Sequence, residues 1–173
     1  MGPRLRKFAF IAHITSSVGW VGAVAAFLAL AVAGLTSEDV ELVRGAYLTM
    51  ELIGWFVLVP LALASLVTGL VQSLGTRWGL FRHYWVLAKL LINLFATFIL
   101  LMYMETLGAL ADVAAAASSS GDLGALQSPS PMLHAGLALV LLLVATTLAV
   151  YKPQGLTPYG QRRVREDQAS AGA

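Results

Sequence analysis

Few residues in this chain have chemistry to offer, and most of those lie where polar groups are costly to keep. His13 falls inside an apolar run from Phe8 to Leu35, and Lys89 inside one from His83 to Leu107. Glu51 stands near the start of a run from Ala46 to Leu74, and His134 near the start of one from Pro131 to Val150. Ionisable side chains embedded in apolar helices are expensive and are functional hypotheses by default. An imidazole beside an ammonium suits an anionic or metal-centred guest, because neutral imidazole ligates metals and the cation balances negative charge. A second candidate is a copper site of His134, Glu51 and the methionines Met102 and Met104, whose thioethers favour Cu(I). Glu51 taken alone is a candidate proton carrier.

Depth and helical phase bring part of this set together. His13 lies about 7 Å of helical rise past Phe8, and Lys89 about 9 Å past His83, both entering from the same side. Residues three or four apart share a helix face. That spacing groups His13, Ser17 and Trp20 on one stripe, and Trp85, Lys89, Asn93 and Thr97 on another. Ser65, Thr68 and Gln72 form a third stripe, and Thr146 and Thr147 arrive from the last run. The expectation is a polar pocket with His13, Lys89, Trp20 and Asn93 as its binding residues. The plainer alternative has Lys89 snorkelling to the interface, while Asn93 and the hydroxyls only hydrogen-bond between helices.

The elements that must position these residues follow from composition. The chain has 173 residues, 58% hydrophobic and 12% charged, with a mean hydropathy of +0.79. That is too apolar for a soluble domain and predicts a membrane protein. Runs of this length cross a hydrocarbon layer of about 30 Å as helices. The predicted architecture is therefore an all-α, four-helix membrane bundle over residues 1–153, with spans at 8–35, 46–74, 83–107 and 131–151. The first run is longer than the roughly 7–15 apolar residues of a signal peptide, which predicts a retained span. Ser37 ahead of Glu41 is a possible cap for the second helix, and Pro60 predicts a kink within it. The Ala-, Ser- and Gly-rich stretch 109–130 reads as a mobile connection whose start could prolong the third helix. Residues 154–173 read as a polar, poorly ordered tail.

Nine of the eleven Lys and Arg residues fall on one side of these spans, Arg44 alone on the other, and Lys89 within a span. The positive-inside rule then places both termini in the cytoplasm and predicts a multi-pass cytoplasmic-membrane protein. Cysteine is absent, which excludes thiolate-held clusters and Cys-ligated metals. Phosphate loops, dinucleotide fingerprints and nucleophile–base pairs are also missing, so nucleotide and hydrolase chemistry has no support. The basic tracts adjoin interfacial aromatics, which argues for a lipid boundary and against nucleic acid. Gly19 and Gly22 leave room for another helix, from a second membrane subunit or a second copy of this chain.

The first-helix segment from His13 through Trp20 to Gly22 and the third-helix segment Trp85-Val-Leu-Ala-Lys89-Leu carry a family resemblance. They resemble the corresponding stretches of HemJ-type protoporphyrinogen oxidases and CopD-type copper-resistance proteins, a group that includes uncharacterised small bacterial four-helix membrane proteins. For HemJ-like members the resemblance implies heme b, with the histidine and lysine, here His13 and Lys89, as its important residues. For CopD-like members it implies copper handling. A partner subunit without chemistry of its own is the third expectation.

Overall fold

The structure is a computed structural model that describes residues 2–75, 79–117, 123–124 and 126–171. Its elements are α1 (Pro3–Thr36), α2 (Val40–Gly75), α3 (Tyr84–Ala116), α4 (Ser130–Tyr151) and α5 (Pro158–Ala171). The first four are each long and apolar enough to cross a membrane. With no strand among the described residues, the fold is an all-α bundle. Large apolar side chains cover its outside, including Phe8, Phe56, Leu91, Phe98 and Leu137, all more than half exposed. Such a surface is at home against lipid tails, and it defines a multi-pass membrane protein.

Each span reverses the direction of the one before it, so sequential neighbours run antiparallel. α1 packs along α2 and α4, and α3 packs along α2 and α4. Hence α1 and α3 face each other diagonally across the bundle. At the end bearing the α1–α2 turn the interior is dense: Val43, Tyr47, Met50, Met104, Leu107 and Leu126 are almost fully buried. Gly54 lets α3 come close there, since a β-carbon on it would stand 2.7 Å from Cε and 2.9 Å from Sδ of Met104.

The predicted kink in α2 takes a specific form. Pro60 has no N–H, and its ring presses on the carbonyl four residues earlier. Just ahead of it the chain widens into a π turn over Gly54–Leu58, closed by a hydrogen bond from the Val59 N–H to the Gly54 carbonyl. Single π turns of this kind accommodate a local disruption without ending the helix. At the start of α2 the cap is Asp39, not Ser37. The Asp39 carboxylate accepts from the N–H of Glu41 at 3.0 Å, while Ser37 Oγ accepts from the Asp39 N–H at 3.1 Å.

Two segments are more ordered than a mobile connection and a polar tail, although the first follows the expectation that its Ala-rich start could prolong the third helix. Helix α3 continues through the Ala-rich stretch to Ala116, with Ala111 and Ala114 buried. Part of the following connection, 118–122 and residue 125, lies outside the described residues. Leu123 and Leu126, however, are core residues, and the Tyr47 hydroxyl donates to the Leu126 carbonyl. Small alanines and widely spaced leucines give little periodic signal, but they can pack closely. The segment read as a disordered tail contains α5. Thr157 caps this helix by accepting from the Gly160 N–H at 3.1 Å, and Pro158 suits its first turn. The Thr157 N–H donates to the Arg82 carbonyl at 3.1 Å, and the Tyr84 N–H to the Gly155 carbonyl at 3.3 Å. Docking against the α2–α3 connection supplies the order that the polar composition lacks.

Candidate functional site: a cavity at the basic end of the bundle

The sparse half of the bundle is the one bearing the N-terminus and the α2–α3 connection. Along α1 the polar stripe turns toward α2 and meets a polar stripe there. Ser17 Oγ and Ser65 Oγ lie 2.8 Å apart, and the Gln72 side-chain amide donates to the Ala9 carbonyl at 3.0 Å. Between these contacts sits His13. Its Nδ1 is 3.2 Å from the Ser65 carbonyl oxygen and 3.1 Å from Thr68 Oγ1. A carbonyl only accepts, and the Thr68 hydroxyl already donates to the Ala64 carbonyl at 2.6 Å. Two acceptors therefore face Nδ1, which must carry the proton, so in the neutral ring Nε2 keeps its lone pair.

Across the diagonal from His13, α3 contributes Trp85, Lys89 and Asn93. These residues, together with His13, Ser17 and Trp20, line one cavity of about 740 Å³. Lys89 and Asn93 are half-buried, and neither forms a hydrogen bond or ion pair with the described residues. From α4 Thr146 reaches the same space, its hydroxyl bonded back to the Leu142 carbonyl at 2.8 Å. Trp20, only 2% exposed, closes the deep end. It also lines a second, apolar space of about 70 Å³ between α3 and α4.

Other sequence candidates are dispersed. Thr97, at the end of the α3 stripe, is buried away from the cavity lining and its hydroxyl lacks a hydrogen-bond partner among the described residues. Thr147 bonds back to the Leu143 carbonyl on an exposed face. His134 stacks on Tyr103, ring centres 4.1 Å apart, with Nδ1 held 2.9 Å from the Ser130 carbonyl. Glu51 rests instead against Gly108, where a β-carbon would be 3.6 Å from Oε1. Met102 turns outward and Met104 fills the core beside Gly54. Among the described residues no group of three or more His, Cys, Asp or Glu gathers around a common point.

Sequence reasoning missed Gly69. A β-carbon there would stand 3.1 Å from Cε1 of His13 and 3.6 Å from its Nδ1, so the missing side chain makes the seat for the ring. The signal was present in the spacing, because Ser65, Gly69 and Gln72 share one face of α2, and a glycine in an interhelical stripe marks close approach. Charge counting gives Arg6, Lys7 and Lys152 a role in orientation alone, whereas the structure places all three on the cavity lining.

No family model, curated protein or solved structure matches this chain. Its class is set by the fold alone: an all-α, multi-pass membrane bundle with, in one half, a largely apolar cavity that carries a few polar side chains.

Proposed function

We propose that this protein is a multi-pass protein of the cytoplasmic membrane, its basic end toward the cytoplasm, that holds a b-type heme in the cavity between α1 and α3. One observation carries the reading: Nδ1 of His13 is committed to the Ser65 carbonyl and Thr68 hydroxyl, which frees Nε2 as a ligand. Metal-binding histidines characteristically donate their second ring N–H to a carbonyl or carboxylate, fixing tautomer and orientation. The Gly69 seat and a cavity within the roughly 300–1,000 Å³ of ordinary cofactor pockets also fit the group. His13 would hold the iron, Lys89 would balance a propionate, and Trp20 and the apolar walls would exclude water. A bound iron porphyrin supplies one-electron redox chemistry tuned by its axial ligand and surroundings. The resemblance of the His13–Gly22 and Trp85–Leu90 segments to HemJ-like proteins supports the same assignment.

The test is an absorption spectrum of the detergent-solubilised protein with hemin, oxidised and then reduced. A Soret band with reduced α and β bands, lost in His13→Ala while helical content is retained, is expected. No heme spectrum in the wild type overturns the reading.

A second reading is favoured by the α1–α2 contacts of Ser17, Gln72 and His13 itself: the stripes stitch helices of a non-catalytic subunit. In that case His13→Ala lowers the unfolding temperature and no ligand spectrum exists to lose.

A further inference from the structure

The mouth of the cavity carries a charge pattern that iron ligation does not require. Arg6 and Lys7 from the start of α1, Lys152 from the end of α4 and Lys89 from within α3 all line it, and no Asp or Glu is among its lining residues. Lys152 occupies a left-handed backbone conformation, φ 45°, where α4 stops, and its N–H bonds to the Leu148 carbonyl. The stem of this lysine therefore starts from a fixed point at the rim. The remaining walls are largely apolar, built from residues such as Leu66, Leu70, Leu90 and Leu142. Basic loops are common on the cytoplasmic side of membrane proteins, but here cations converge on a concave space, and one of them, Lys89, is half-buried with no anionic partner among the described residues. Like charges around a low-dielectric cleft focus a positive potential. An uncompensated, half-buried ammonium is destabilising until an anion joins it.

We propose that this rim recognises the anionic end of an amphiphile, a carboxylate- or phosphate-bearing molecule whose apolar body lies along the leucine walls toward Trp20. The proposal rests on the cavity's being a binding site, but not on iron. Porphyrin carboxylates and the headgroup of a membrane lipid or fatty acid share this chemistry.

Quenching of tryptophan fluorescence in the full-length protein, in neutral detergent, reads the binding of metal-free protoporphyrin IX against its dimethyl ester. The free acid is expected to bind about 10-fold more tightly, one charge-pair energy of roughly 1.4 kcal/mol, with the preference shrinking as salt rises from about 0.05 to 0.5 M. The triple variant Arg6→Gln/Lys7→Gln/Lys152→Gln should lose the preference, whereas Arg162→Gln/Arg163→Gln/Arg165→Gln, which removes the same charge outside the cavity, should keep it. Equal affinity for acid and ester in the wild type overturns the proposal, as does an equal loss in both triple variants. Dodecyl phosphate separates the sources. Rim-dependent displacement of porphyrin by it points to a lipid, and its failure to displace points to the porphyrin acid; either supports the rim. Rim-dependent binding without any hemin spectrum removes the heme assignment and leaves this one. A His13-dependent heme spectrum with equal acid and ester binding does the reverse.

Discussion

The imidazole of His13 on α1 lies over the bare backbone of Gly69 on α2, at a place where a single β-carbon would stand 3.1 Å from its Cε1 atom. The two helices meet closely enough there for Nδ1 to reach a main-chain carbonyl, that of Ser65, at 3.2 Å. A carbonyl cannot be changed by ordinary mutation, which makes the glycine the accessible handle on this arrangement. In the proposed heme complex, Gly69→Ala should push the ring by a few tenths of an ångström and lower hemin affinity about 10-fold, within the range for groups that orient a metal ligand. Gly69→Val should cost more. Hemin titration followed at the Soret band checks this, and unchanged affinity in both variants would show that the seat does not matter.

Thr68 supplies the other acceptor to the ring, at 3.1 Å. Thr68→Val keeps the shape and removes one hydrogen bond, worth about 0.5–1.5 kcal/mol. Hemin affinity should drop a few-fold, less than in Gly69→Val, because the Ser65 carbonyl still holds Nδ1. The same titration reads it.

In the dense half, Gly54 on α2 leaves room for the Met104 side chain on α3. Gly54→Ala places a β-carbon against Sδ and Cε and should destabilise by about 1–3 kcal/mol, as overpacking does. In a Met104→Ala background the same substitution should cost much less. Thermal unfolding of the four proteins in detergent gives the coupling, and a zero coupling energy would rule the contact out as the cause.

Tyr47 ties α2 to the α3–α4 connection through its hydroxyl and the Leu126 carbonyl. Tyr47→Phe leaves that buried carbonyl without its donor, at a cost of about 1–3 kcal/mol. Protease cleavage between α3 and α4 should accelerate. Cleavage at the wild-type rate would mean that the buried leucines anchor the segment unaided.

Thr157 caps α5 and also donates to the Phe81 carbonyl. Thr157→Ala should weaken the helix by about 0.5–2 kcal/mol, raising amide exchange at the start of α5 while the four long helices keep their protection. Slow exchange in α5 of the variant would assign its stability to another contact.

Much of this protein was legible without coordinates, and for a physical reason. Lipid offers no hydrogen bonds to a bare backbone, so apolar runs the length of Phe8–Leu35 and Pro131–Val150 have to be helices, and the irregular connections between them have to lie outside the hydrocarbon layer. Three-and-four periodicity then fixes which residues share a stripe, which is why His13, Ser17 and Trp20 lie together on α1, and Lys89 with Asn93 on α3. Periodicity carries no information about which stripe faces which helix. Only packing decided that α1 and α3 oppose each other diagonally, that Thr97 falls into the core while Lys89 does not, and that His13 spends Nδ1 on α2. It also decided that Gly69 and Gly54 are places where a side chain would be in the way. Those outcomes depend on distances of closest approach between helices far apart in sequence, and on the order that α5 gains by docking on Arg82, neither of which is written in local composition.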